Sequence, residues 1–280
     1  MKMPNIAVLP ALVTLGNAIC GFAAIVTLAR APQPGPGGED LGPALAAFTS
    51  AGLLIFLAMV FDALDGRVAR FARATSDFGG QLDSLSDAVS FGAAPALLGY
   101  RIFVCMIADP ACQRLALVLA AVYFACTLLR LARFNVENVQ DEEAHMWFRG
   151  LPSPAAAGAV ASVAILIAEF WREPVGPQAG MVLVWSMLVM LLLLGVLMVS
   201  ALRYSHLLNQ LIRGRRPLSY VLQILMCIAL VWFLQEKALA LLFVGYVLSG
   251  PVIVLYRKVV PVRRESPPVV SKSEDDSSVT

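Results

Sequence analysis

Long apolar runs separated by short polar connections repeat along most of this chain. Eight stand out, at roughly 7–30, 44–66, 82–104, 112–132, 153–171, 179–201, 218–235 and 238–256. Each is close to or above the about 20 residues that cross a bilayer as a helix. The runs are too long for barrel strands and lack strict two-residue alternation, so they predict helices. The expected fold is all-α, a polytopic integral membrane protein of eight spans. Residues 1–201 would form a six-span core and 202–262 two additional spans. Residues 263–280, which include ESPPVVSKSEDDSSVT, would be a disordered polar tail.

Composition agrees with the pattern. Of the 280 residues 59% are hydrophobic and 14% charged, and the mean hydropathy is +0.77. A compact soluble domain could not hide that much apolar surface. The first run follows Lys2 and ends at LARAP, which resembles a cleavable leader. Its length, with Thr14 and Asn17 inside it, favours a retained helix. The five cysteines have no metal-type spacing and read as buried free thiols, although Cys105 and Cys112 could approach each other at one face. His145 and His206 lie in different loops and do not read as metal ligands. Trp185 and Trp232 read as lipid-facing or packing residues.

Charge sets the orientation. With eight spans both ends share a side, and that side carries sixteen of the 21 Lys and Arg residues. The excess predicts both termini at the cytoplasmic face. The net charge of +2 says little, but a basic cytoplasmic rim suits anionic headgroups and phosphates. Nothing further supports a nucleic-acid partner.

The chemistry concentrates in FDALDGRVARFARATSDFGGQLDSLSDAVSFG, residues 61–92. Asp62, Asp65, Gly66, Ala69 and Arg70 fall within about a 140° arc of one helix, and Gly79, Asp83, Asp87 and Ser90 within about 80° of the next. Four carboxylates crowded at a membrane boundary repel one another unless cations or water compensate. Salt bridges to Arg67, Arg70 and Arg73 are one answer. Two facing acidic surfaces with glycines between them favour another: hard divalent cations on all-oxygen ligands. Two ions sharing four carboxylates is the simpler charge balance, and two nearby metals suit phosphoryl transfer. Gly66 and Ala69 would leave room beside the ions, and Arg70 could meet phosphate.

Asp62-x-x-Asp65-Gly66-x-x-Ala69-Arg70, eight residues, then Gly79-x-x-x-Asp83-x-x-x-Asp87 resembles the full signature of the CDP-alcohol phosphotransferases. The resemblance implies six transmembrane helices around a polar cavity open to the cytoplasm, usually in a homodimer. It implies two divalent cations, Mg2+ or Mn2+, and transfer from a CDP-linked donor to a hydroxyl with release of CMP. Asp62, Asp65 and Asp83 would be metal ligands. Asp87 would serve the second metal and act as the base, while Gly66, Ala69 and Arg70 would line the cytidine diphosphate site.

Three further stretches are similar to the phosphatidylserine synthase branch: LPALVTLGNAICGFAAI, DSLSDAVSFGAAPA, and LLRLARFNV with FRGLPSPAAAG. They imply CDP-diacylglycerol and L-serine as substrates, membrane lipids as surroundings and a bacterial inner membrane as location. Arg130 and Arg133 could grip the serine carboxylate, or serve only as positive-inside anchors. Asn135 and Ser90 could add neutral hydrogen bonds. Thr14 and Asn17 could contact the donor pyrophosphate, and a helix–helix hydrogen bond is an equal alternative for Asn17. GLPSPAAAG reads as a sharp entry into the fifth span. Glycerol-3-phosphate or inositol phosphate is the alternative acceptor. A divalent-cation transporter is a remote one, since the cluster lies at a helix end and no matching half-site follows.

Overall fold

The computed structural model describes residues 8–33, 41–72, 77–140, 148–172, 177–200, 202–204 and 236–259. Helix α1 runs Val8–Arg30, α2 Gly42–Ala72 and α3 Asp77–Asp87. A π-helical turn, Ala88–Ala93, leads straight into α4, Ala94–Met106. Then come α5 Pro110–Gln140, α6 Ser153–Arg172, α7 Pro177–Val199 and α8 Glu236–Val259. Two short strands, β1 Phe148–Arg149 and β2 Arg203–Tyr204, pair antiparallel, Phe148 opposite Tyr204.

Among the described residues six stretches are long and apolar enough to cross a membrane: Ala11–Arg30, Gly42–Asp65, Phe78–Met106, Pro110–Val136, Ser153–Trp171 and Gly180–Val199. They correspond to the first six expected spans. The expected seventh, 218–235, and the tail, 263–280, lie outside the described residues, as do both histidines. The expected eighth is the helix α8, whose apolar portion Leu239–Val252 is shorter than the other six. Cys20, Cys105, Cys112 and Cys126 are free thiols, as expected.

Local sequence explains where the helices begin. The Asp109 carboxylate accepts the Cys112 amide at 2.9 Å and so caps the first turn of α5. Proline at the first residue of α5 and the second of α6 removes an amide that has no partner there anyway. At the far end of α1 the Arg101 guanidinium, from α4, donates to the Ala31 carbonyl at 2.5 Å and satisfies an acceptor left over by the helix end.

In lipid the helices gain little from hydrophobicity and associate through close packing of small residues. Helix α6 shows this best. Its alanines 156, 157, 159, 161, 164 and 168 are buried, and it contacts α2, α4, α7, α8 and the π turn. On the outside, Leu12, Ile19 and Phe22 of α1 and Val182, Val189 and Val196 of α7 are exposed. Those valines recur every seven residues and form a lipid-facing stripe.

Two glycines matter for the site. Gly150 has φ +89°, a conformation that costs glycine nothing, and a Cβ there would meet the Met198 carbonyl oxygen at 2.4 Å. Its amide donates to Leu202 at 2.8 Å and the next amide, Leu151, to Leu197 at 3.1 Å. The entry to α6 is thereby tied to the end of α7, the sharp turn expected of GLPSP. Gly21 lets α1 touch the π turn: a Cβ there would meet Ser90 Oγ at 2.5 Å and its Cα at 2.6 Å. Because that second atom is backbone, Gly21→Ala is expected to force the elements apart at a cost of about 1–3 kcal/mol. The expected result is a lower melting temperature in detergent; unchanged melting would contradict the close contact.

Candidate active site

Helix periodicity brings the polar residues to one end of the bundle. Asp62 and Asp65 are three apart on α2, Asp83 and Asp87 four apart on α3, so each pair shares a helix face. The two faces meet. Carboxylate oxygens of Asp62, Asp83 and Asp87 lie within 4.8 Å of one another. Asp65 lies near enough that its charge acts on Asp62 and Asp83. Asp65 and Asp87 are buried.

Helix α1 holds two of these carboxylates in place. The buried Thr14 hydroxyl donates to Asp65 Oδ2. One turn on, Asn17 Nδ2 donates to Asp87 Oδ1 at 3.0 Å. The amide nitrogen faces the carboxylate because the flipped amide would set two oxygens against each other. Asn17 is fully buried, and its Oδ1 has no hydrogen-bond partner among the described residues. Ser90 Oγ in turn donates to the Asn17 carbonyl at 2.9 Å.

The π turn follows Asp87 directly. Such single turns often occur at functional sites, because they shift the hydrogen-bond ladder and re-aim the flanking side chains. The Ala94 amide bonds back to Val89, five residues earlier. The fully buried Tyr123 of α5 donates its hydroxyl to the Phe91 carbonyl at 3.1 Å, so an acceptor in the disturbed ladder gains a partner.

Among the described side chains, an arginine of α5 faces the acids. Arg130 of α5 is close enough for its charge to act on both Asp62 and Asp87. Its Nη1 donates to the Ser153 hydroxyl at the start of α6, while its Nε is buried without a partner among the described residues. Among the described side chains, the four carboxylates outnumber the guanidinium beside them, a negative excess in low dielectric. All-oxygen donors from two rigid helices fit a hard divalent cation, and the donor set selects Mg2+, Mn2+ or Ca2+ over softer metals.

The other expected site residues are distributed unevenly. Asn135 Nδ2 donates to Ser84 Oγ at 2.9 Å, which ties α5 to α3. Arg133 is half-buried on α5. Ser90 is fully buried at the contact with α1. Gly66, Ala69 and Arg70 lie on the last turns of α2, and their side chains fall outside the described residues. Sequence reasoning missed the parts played by Ser153, Ser84 and Tyr123. For Thr14 and Asn17 a signal existed: two polar residues three apart in an apolar span must share a face and need a buried partner.

Residues 7–193 match the family model described as CDP-alcohol phosphatidyltransferase. A protein of Methanocaldococcus jannaschii is 37% identical over 178 residues, covering 64% of this chain and 72% of the relative. One from Mycobacterium tuberculosis strain H37Rv is 36% identical over 165 residues, 58% of this chain and 50% of that protein. A third, from Bacillus subtilis, is 32% identical over 167 residues, 60% of this chain and 78% of the relative. Each is named CDP-diacylglycerol–serine O-phosphatidyltransferase. The matched segment spans both acidic helices, the α1 residues that hold them and Arg130, and the chain belongs to the CDP-alcohol phosphatidyltransferase family.

Proposed function

We propose that this protein transfers the phosphatidyl group of CDP-diacylglycerol to the hydroxyl of L-serine, giving phosphatidylserine and CMP. The observation that carries this reading is the meeting of Asp62, Asp83 and Asp87 within 4.8 Å, with Arg130 as their counter-charge. The relatives' shared name supports serine as the acceptor.

Asp62, Asp65, Asp83 and Asp87 would hold divalent cations, Mg2+ or Mn2+ and two in number, which when bound neutralise the pyrophosphate oxygens and stabilise the displacement. Asp87 takes the proton of the serine hydroxyl as that oxygen attacks the β-phosphorus. The bond from the β-phosphorus to the bridging oxygen breaks, and its electrons leave with CMP. Asn17, bound to Asp87 Oδ1, fixes the carboxylate so that Oδ2 faces the reacting hydroxyl. Arg130 has a buried Nε without a partner among the described residues that suits one arm of a forked contact to the serine carboxylate. Arg133, Asn135 and Ser90 complete the acceptor side. Gly66, Ala69 and Arg70 receive the cytidine diphosphate head, with Thr14 and Asn17 below it.

A lipid donor and a soluble acceptor meet only at the membrane surface, so this end of the bundle is read as cytoplasmic, with both termini on that side of a bacterial inner membrane. The core is residues 1–201, with 202–262 as an addition and 263–280 as a tail. The working unit is read as a homodimer.

Purified protein with CDP-diacylglycerol and labelled serine tests the reading. CMP release should require serine and stop on chelation; release driven instead by glycerol-3-phosphate or inositol phosphate would assign a different acceptor. Asp87→Asn should lower turnover by about 10²–10⁴-fold, the usual worth of a positioned base, while donor binding persists. Near-normal turnover in that variant would remove the base assignment. Asn17→Leu keeps the volume but loses the bond to Asp87. It should lower kcat by roughly tenfold, as the loss of a hydrogen bond to a charged group implies. An unchanged kcat would leave Asn17 a purely structural role.

A further inference from the structure

Helix α8 lies beyond the matched family segment, which ends at residue 193, yet it packs on the central helix α6. Two contacts set its direction. Lys237 Nζ lies 5.6 Å from the centre of the Phe170 ring, near the end of α6. Six residues on, the Phe243 ring fills the space beside Gly158, where a Cβ would come within 2.3 Å of it. Phe243 also meets Phe56 of α2, centroids 5.5 Å apart. Moving forward along α8 therefore means moving back along α6, so the two helices are antiparallel.

Tyr246 follows one turn later, about 4.5 Å further along the axis on the same face as Phe243. That is the direction of Ser153, the residue that holds Arg130. The Tyr246 side chain is half-buried against the core and lies within electrostatic reach of the Arg130 guanidinium. Helix α8 also touches β2, whose partner β1 leads into α6. Three helices thus converge on this end of the bundle: α5 carries Arg130, α6 binds it through Ser153, and α8, antiparallel to α6, directs Tyr246 toward it.

We propose that Tyr246 is a positioning residue for Arg130, so that a helix outside the matched family segment helps set the affinity for the acceptor. The inference rests on the reading of Arg130 as the acceptor's carboxylate contact. The Phe243 ring in the Gly158 slot fixes the depth of α8, and with it the height of the phenol beside the guanidinium. The residues read as the donor site, Gly66, Ala69 and Arg70 with Thr14 and Asn17, lie on α2 and α1 and not on this helix.

Tyr246→Phe keeps the ring in its seat and removes only the hydroxyl. In the full-length enzyme it should raise KM for serine roughly tenfold, the scale of one polar contact to a charged group. KM for CDP-diacylglycerol should stay within about twofold and kcat should change less than KM for serine. Tyr246→Leu should reproduce the split more strongly. Leu248→Ala, on the exposed opposite face, should change neither constant. Unaltered serine KM in both Tyr246 variants would overturn the proposal. So would a parallel rise in both KM values, which would indicate a general loosening of the helix. Wild-type turnover that does not depend on serine would overturn the acceptor reading itself, and this inference with it.

Discussion

The constraint on which the rest depends is the repulsion among four carboxylates gathered at one end of an apolar bundle. Water cannot screen them as it would at a soluble surface, and isolated ionised groups in such surroundings are costly. Among the described side chains the guanidinium of Arg130 offsets part of the charge. The all-oxygen donor set suits hard cations. The crowding of Asp62, Asp83 and Asp87 is compatible with the divalent cations proposed for this site.

Rigidity is the complement of that crowding. Thr14 and Asn17 each hold a carboxylate from a different helix, so α1 acts as a splint for α2 and α3 together. Ser90 closes the arrangement by bonding the Asn17 backbone from within the π turn. Gly21 lets the two backbones approach closely enough for this, and Tyr123 satisfies a carbonyl in the irregular ladder. These are mostly polar contacts among buried groups. In a medium without competing water they define one arrangement of the acids and few alternatives.

Much of the site was legible from spacing alone. Carboxylates three and four residues apart must share helix faces, and helices linked by a short turn must be neighbours, so the meeting of Asp62, Asp83 and Asp87 followed from periodicity. Arg130 was legible only as a cation at the right end of its span. The partners of Thr14 and Asn17 were not legible, because they are distant in sequence: Asn17 and Asp87 are 70 positions apart, and no local pattern encodes which helix lies across from which. The π turn escaped notice for a different reason. AVSFGA has no residue that breaks an ordinary helix, and the extra residue in the ladder is stabilised from outside by α1 and α5.

The sequence by itself determined the membrane-spanning class, the first six spans and the acidic faces, since hydropathy and helical periodicity are local properties of consecutive residues. Only the tertiary structure decided which side chains hold the carboxylates, that Ser153 anchors Arg130, and that α8 packs antiparallel on α6. Those outcomes depend on helix pairing, which is selected by small residues such as Gly21 and Gly158 through the shape they leave for a neighbour. A glycine in the chain marks that a close approach is possible, but the identity of what approaches is a property of the packed bundle.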